Sequence, residues 1–398
     1  MEVIDSHVHI GLNKFFKTKN DFPYNLENDF HDYLNLFRTS KFSKACILPI
    51  PDQDVDKIES HEYLKEATDY SNGQFLPICG IDESLANNIC GDFVGCKLHR
   101  VYDDIPISKL QIALKILEYY HVPLIIHAAF KNKVQQIRAL LKIAPKLVII
   151  LAHMGRGHIY TSEGVLENLK ALESNSNVYF ETSTVGNSET IEKACDIIGS
   201  ERIMFGSDYP FGKIFSGKSY NYVEELDVVL NARITDSQKR DVLYGTANHV
   251  FQCSRYSDFV TQYQSRYESD MKNLLQNLTS QNRKFLALDE KHKIIQTCMK
   301  QCKHIFAIIH DGKFAGFMRE SGRPNGTSLL EELVISPEYR GIGLSRLAIK
   351  FFKHIFPHHF AKSNSQNFAI NHVLESEGYI RDDGKRIFHW EYQRKENV

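Results

Sequence analysis

No CxxC pair occurs among the eight cysteines of this 398-residue chain, which stand at 46, 79, 90, 96, 195, 253, 298 and 302, mostly inside apolar segments. That scatter offers no disulfide framework and reads as the reduced core thiols of a cytoplasmic protein. Cys298 and Cys302 lie one helical turn apart, a spacing that could hold a metal but that two neighbouring core positions explain more simply. An excess of charge of either sign is also missing. With 48 Lys and Arg against 49 Asp and Glu, the formal charge is -1, so there is no basic field to gather nucleic acid or an anionic membrane. No apolar run is long enough to cross a bilayer, and the N-terminus has no charged-then-apolar leader. A histidine pair begins at residue 7, and cleavage of a leader would remove it. The expected partner is a small neutral or weakly charged molecule.

The length exceeds what one compact core supports and suits one barrel-sized and one smaller domain. Short apolar runs recur at Val3–His9, Ala45–Ile50, Phe75–Ile81, Phe93–His99, Leu124–His127, Leu147–His153, Val178–Ser183 and Ile203–Asp208. Between most of them lie helical patterns, such as Ser108–Tyr120, Asn132–Ile143, Gly164–Leu172 and Ser188–Ile198. Continuous apolar strands alternating with amphipathic helices require a parallel sheet covered by helices, and eight repeats close it into a (β/α)8 TIM barrel. The expected fold is therefore α/β, a barrel over 1–252 followed by an α+β domain over 285–398. A connecting helix is expected over 253–284, where Tyr256, Phe259, Tyr263, Tyr267, Met271 and Leu275 form an apolar stripe.

Five of the runs end in a metal-seeking residue: His7 and His9 in VIDSHVHIG, Lys97 in FVGCKLH, His127 in PLIIHAA, His153 in VIILAHMG and Asp208 in IMFGSDYP. Side chains at the C-terminal strand ends of such a barrel converge over one mouth. His7 and His9, two apart on a strand, face the same side and can bind one cation, and His127 and Asp208 can complete the shell with a position left open for water. Zinc is the default for this donor set, although another divalent transition metal such as manganese or iron would accept it.

The pieces IDSHVHIG, GCKLHRVY, PLIIHAAF, ILAHMGRG, VYFETST and RIMFGSDYPF, in this order, resemble the amidohydrolase superfamily, in the branch holding metal-dependent hydrolases and aromatic-acid decarboxylases. The resemblance implies that His7, His9, His127 and Asp208 bind the metal, and that His153 binds a second metal or polarises the water or substrate. Lys97 corresponds to a lysine that is carboxylated and bridges two metals in binuclear relatives and simply sits in the pocket of mononuclear ones. A nuclease-like branch shares the HxH start but places a glutamate where this chain has Lys97. His99, Arg100 and Tyr102 replace the usual HP after strand four and are expected to shape substrate recognition, while Arg100 and Arg156 could clamp a substrate carboxylate. Asp208 would receive the proton of an activated water and pass it to the leaving group of an amide, lactam or ester, and the same shell could instead hold a carboxylated ring for decarboxylation.

After the barrel the texture changes. His304–Ile309 and Phe314–Met318 are strand-like and joined by HDGK, a tight hairpin signal, and Leu329–Ile335 follows. The string VISPEYRGIGLS then puts a glycine-containing turn between a strand and a helix, where backbone N–H groups at Gly341, Ile342, Gly343 and Leu344 can face a pyrophosphate. It resembles the coenzyme A motif of the GNAT acyltransferases, over roughly 285–395, with Val334, Ile335, Arg340, Gly341, Ile342, Gly343, Leu344, Ser345 and Asn367 as the implied acetyl-CoA contacts. One departure is that the tyrosine many relatives use as general acid falls near Leu374. Glu331 and Glu332 are the candidate bases; adjacent on a strand, they should face opposite sides and leave one for the pocket. The two resemblances together imply a bifunctional cytoplasmic enzyme, a metal-dependent hydrolase joined to an N-acetyltransferase. The competing reading is a decarboxylase barrel controlled by a domain that senses acetyl-CoA without transferring anything. A homodimer through Ser254–Asn282 is compatible with the stripe but carried by no motif.

Overall fold

The computed structural model describes residues 2–15, 29–40, 42–51, 55–81, 93–100, 105–128, 132–157, 161–211, 222–251, 258–263, 265–279, 303–323, 326–382 and 387–393. The chain divides into two compact units, one over most of the first 254 residues and one from Arg255 onward.

In the first unit eight strands are hydrogen-bonded in chain order: β1 Val3–His9, β2 Phe42–Leu48, β3 Phe75–Gly80, β4 Gly95–His99, β5 Leu124–His127, β6 Ile149–Leu151, β7 Val178–Glu181 and β8 Ile203–Met204. All the pairings are parallel, as runs apolar on both faces require. The ring closes where the segment after β8 meets β1: Ser6 N–H donates to Phe205 O at 3.0 Å, Asp208 N–H to His7 O at 2.8 Å and His9 N–H to Tyr209 O at 2.7 Å. Helices α1 Phe30–Arg38, α2 Lys57–Tyr70, α3 Gln111–Tyr119, α4 Lys133–Ile143, α5 Val165–Leu172, α6 Ser188–Ile198 and α7 Tyr222–Leu230 alternate with the strands. Ile4, Cys46, Leu48, Ile78, Ile125, Ile150 and Met204 make one buried cluster closed by Ala247 and Phe251. Cys46, Cys79, Cys96 and Cys195 are buried free thiols, and Cys90, Cys253, Cys298 and Cys302 lie outside the described residues.

The second unit is a seven-stranded sheet in the order β14-β15-β13-β12-β11-β10-β9. Its strands are β9 Asp258–Gln262, β10 His304–His310, β11 Lys313–Gly322, β12 Ser328–Ile335, β13 His358–Asn364, β14 Ile380–Asp382 and β15 Ile387–Gln393. The expectation of one connecting helix over 253–284 is corrected here. Residues 258–262 form β9, antiparallel to β10, because Phe259 and Val260 have more apolar surface to bury in a sheet than on a spacer, and the helical part is confined to α8, Glu268–Asn277. The stripe itself has the expected use: Met271, Leu274 and Leu275 of α8 pack on Phe317 and Val334. Asp311 and Gly312 join β10 to β11 with φ of 45° and 74°, the two positive values that a type I′ hairpin turn demands. Helix α9, Leu344–Ile355, buries Ala348, Ile349, Phe351 and Phe352, and α10 spans Phe368–Ser376.

β12 and β13 form the parallel pair of this sheet, and they are paired only from Ser328–Leu330 to His359–Ala361. Beyond that the strands part, which opens a cavity between them.

His359 of β13 is a buried strut of this unit, with Nδ1 donating to Phe356 O and Nε2 bonded to Tyr379 Oη. Burial holds its imidazole down at about 4, below the ordinary 6.5. The unfolded chain therefore binds an extra proton between those values, so stability from this site is complete above about pH 6.5 and declines as pH falls toward 4. At about 1.4 kcal/mol per pH unit the decline is about 3 kcal/mol. Trp390, the chain's one tryptophan, is buried in this unit and reports its unfolding. Denaturant titrations followed by Trp390 fluorescence should show that His359→Gln flattens the loss of stability between pH 6.5 and 4.5; an unchanged slope would contradict the assignment.

Candidate functional site

At the C-terminal end of the barrel strands, His7 and His9 from β1 and Asp208 from the turn after β8 bring three ligand atoms together. His7 Nε2 lies 3.2 Å from His9 Nε2 and 3.6 Å from Asp208 Oδ1, and His9 Nε2 lies 3.7 Å from the same oxygen. The other ring nitrogens are already committed. His7 Nδ1 faces Glu181 Oε2 at 2.8 Å and His9 Nδ1 faces Pro49 O at 2.6 Å, and both partners are acceptors. Each Nδ1 therefore carries the proton, which leaves two Nε2 lone pairs and a carboxylate oxygen pointing at one another. Acceptors converge this way around a cation, and the donor set fits a divalent metal. Lys97 Nζ, buried at the end of β4, donates to His7 Nε2 at 2.9 Å.

His153 and His127 form a second group beside the first. His153 Nε2 is 3.2 Å from His127 Nδ1, its Nδ1 donates to Ser183 Oγ at 2.6 Å, and the His127 ring stacks on His99 with centroids 4.2 Å apart. His7, His153 and Glu181 also offer one atom each within 4.8 Å of one another. His127 belongs to neither of these two three-atom groups. Burial holds the imidazoles of His7, His9, His127 and His153 well below their usual range, so they stand neutral with lone pairs available. Burial also pushes the Asp208 carboxyl upward, against the pull of Lys97 and Arg156.

The backbone around the site is held in costly conformations. His153, Met154, Thr184 and Asp208 all have φ between 49° and 56°, a left-handed region that costs a side-chain-bearing residue about 1–3 kcal/mol. For Asp208 the return is direct, since its amide bonds to His7 O and its carboxylate turns toward the histidines.

Arg156 is buried, with Nε donating to Thr184 Oγ1 at 2.8 Å. Arg100 is tied to Ile105 O at 2.6 Å, His99 is buried against His127, and Tyr102 lies outside the described residues. Glu181 and Asp5 went unnoticed in the sequence. Glu181, fully buried, accepts from His7, Ser183 Oγ and the His153 amide, and it ends VYFE just as His127 ends LIIH. Asp5 accepts the amides of His7 and Ser207 and is pushed up to about 7 by burial.

In the second unit the cavity of about 450 Å³ between the parted strands is lined by Val334, Ile335, Arg340, Gly341, Gly343, Leu344, Ser345 and Asn367. Ile342, expected beside them, is half exposed and does not line it. Gly343 has φ of 96° immediately before α9, and a Cβ built there would meet no atom within 4 Å, so the space over the turn is open. Glu331 and Glu332 both line the cavity, contrary to the expectation that only one would. Arg319 pairs with Glu332 and Glu320 with Leu330, so Glu331 is the extra residue of a β-bulge, and the strict alternation fails. The role of Glu332 is corrected as well. Its two oxygens accept both arms of the buried Arg319 guanidinium, which makes it an ion-pair partner rather than an available base. Glu331 Oε1 accepts from Ser321 Oγ at 2.6 Å. Leu374 is buried and absent from the lining; Ile370 and Val373 face the cavity from α10 in its place.

Comparison with known proteins agrees with this architecture. Residues 81–252 match the amidohydrolase family, and residues 269–379 match the acetyltransferase (GNAT) family. The chain thus joins an amidohydrolase barrel to a GNAT acetyltransferase domain, both enzyme architectures. His7 and His9 precede the matched stretch. Among solved structures, a Pseudomonas putida protein provisionally named a 2-pyrone-4,6-dicarboxylic acid hydrolase is 19% identical with a TM-score of 0.51, over 63% of this chain and 97% of its own. An Acinetobacter baumannii protein under the same provisional name, with citric acid bound, gives 15%, 0.52, 63% and 99%. A Burkholderia multivorans amidohydrolase with bound zinc gives 15%, 0.50, 64% and 100%. At these identities the likeness is one of fold. No curated protein matches the chain.

Proposed function

We propose that the barrel hydrolyses an amide, lactam or ester of a small carboxylated molecule, and that the second unit binds acetyl-CoA and transfers the acetyl group to an amine. The observation that carries the barrel reading is the convergence of His7 Nε2, His9 Nε2 and Asp208 Oδ1 within 3.7 Å. A divalent cation, zinc by preference, held by His7, His9 and Asp208 with His127 and His153 alongside, would supply Lewis acidity toward a water and a carbonyl. Asp208, its carboxylate turned toward the histidines, would receive a proton from the attacking water and return it to the leaving group. Glu181 fixes His7 with Nε2 turned inward, and Arg156 offers its guanidinium to a substrate carboxylate.

A second reading of the C-terminal unit has its own support. With Glu332 engaged by Arg319 and apolar residues on the cavity face of α10, the base is left to Glu331 and α10 offers the leaving thiolate no tyrosine acid. Those features favour a domain that binds acetyl-CoA and transfers slowly or not at all. Turnover of acetyl-CoA against a panel of amines separates transfer from sensing.

One metal per chain is the expected stoichiometry, because Lys97 Nζ already spends its approach to the cluster on His7. Elemental analysis of the purified chain, with intact mass under neutral and acidic conditions, tests this. Two metals together with an acid-labile carboxyl adduct on Lys97 would show the binuclear, carbamate-bridged alternative.

A further inference from the structure

We infer that Glu225 is a positioning residue that sets the barrel's guanidinium for a substrate carboxylate, acting through the backbone of Thr184. The inference rests on the reading of Arg156 as the carboxylate clamp.

Thr184 follows β7 with φ of 55°, a conformation that a β-branched residue adopts only when its surroundings impose it. What imposes it is Glu225, from the first turn of α7, whose Oε2 accepts the Thr184 amide at 3.0 Å. In that pose the Thr184 hydroxyl donates to Ser183 O at 2.7 Å and presents its lone pair to Arg156 Nε at 2.8 Å. The main chain of Arg156 is fixed as well. Its amide donates to His153 O at 2.9 Å, and its carbonyl accepts from Lys133 Nζ at 2.9 Å. A buried guanidinium is thus held by its backbone and by Nε, close enough to His7, His127, His153 and Asp208 for its charge to act on each of them. Holding a donor in place before binding is what converts contact into affinity.

Glu225 is itself an expensive choice. It is only 6% exposed, shares its surroundings with Glu181 and Asp208, and is pushed up to about 8 by burial. A carboxyl needed merely to cap a turn would be better placed in water. The requirement at 225 is an acceptor aimed at Thr184 N–H, and glutamine can meet it where alanine cannot.

Calorimetry with citrate, a tricarboxylate probe, on the full-length metal-loaded chain tests this. The wild type is expected to bind, and Arg156→Lys to lose binding. Glu225→Ala should weaken binding about tenfold, the worth of one hydrogen bond near a charge, with metal content unchanged. Glu225→Gln should stay within about threefold of wild type. Thr184→Gly, which relieves the positive φ but removes the hydroxyl, should weaken binding like Glu225→Ala and provides a second variant should the latter fold poorly. If the wild type ignores citrate, or Arg156→Lys binds it equally, the carboxylate reading itself falls. If Arg156→Lys loses binding while Glu225→Ala and Thr184→Gly keep it, only the positioning role is overturned. Equal losses in Glu225→Ala and Glu225→Gln would overturn it too, by showing that charge rather than the accepted hydrogen bond is at work.

Discussion

Replacing His7 and His9 together by alanine should reduce bound transition metal from stoichiometric to background while the barrel remains folded. These residues supply two of the three convergent atoms, and the remaining Asp208 carboxylate is one oxygen ligand on a strained turn. Protein metal sites are worth on the order of 10 kcal/mol, most of it from the full ligand count, so the loss of two imidazoles leaves nothing measurable. The effect of Glu181→Ala should be graded rather than total. Glu181 stands outside the His7, His9 and Asp208 group and fixes the proton on His7 Nδ1, and loss of such an orienting acceptor typically costs about 10–100-fold in metal affinity. Elemental analysis after dialysis against a weak chelator reads both. Full occupancy in the double alanine variant would remove the metal assignment altogether, whereas loss in Glu181→Ala as deep as in the double variant would make Glu181 a direct ligand.

The barrel was legible in the sequence because its evidence is local. A parallel strand buried on both faces is a continuous apolar run, and the residue ending the run sits at the mouth, so VIDSHVH, PLIIH and GCKLH give both the fold and candidate ligands without knowledge of neighbours. Glu181 follows the same pattern but was overlooked because a glutamate after VYF reads equally well as a strand-end surface residue. Only its burial against His7, 174 residues away, distinguishes it. Glu225 had no signal at all, since its meaning depends on Thr184, 41 residues earlier and in a backbone conformation that no propensity scale anticipates for threonine. In the second unit the error over Glu331 and Glu332 has the same origin. Alternation is a rule for regular strands, and the bulge opposite Arg319 and Glu320 is a property of pairing that β12 alone does not reveal. The ion pair that removes Glu332 from consideration as a base likewise joins two strands. β9 was missed because its apolar residues also fit a helical stripe over 256–275, and a five-residue strand is too short for period alone to decide.

Gly343→Val should abolish acetyl-CoA binding while leaving barrel metal content intact. Two consequences of the substitution act in the same direction. At φ of 96° valine is strained by about 1–3 kcal/mol, and relief of that strain would turn the peptide planes whose N–H groups open α9. The space above the turn holds no protein atom within 4 Å of a Cβ, so the new side chain would find no internal clash and would fold normally, yet it would occupy the volume a pyrophosphate needs to reach those N–H groups. Helix α9, with its buried Leu344, Ala348, Ile349, Phe351 and Phe352, is anchored well enough to survive the change, and Trp390 fluorescence can verify that the unit is folded. Gly341→Val, at φ of 84° on the same turn, should behave alike. Gly326→Val supplies the control, because its φ of 80° carries similar strain on a turn outside the cavity lining. Calorimetric binding of acetyl-CoA at wild-type affinity in Gly343→Val would show that the turn does not receive the phosphates. Equal loss in Gly326→Val would show that backbone strain alone, rather than blocked access to the turn, had disabled the unit.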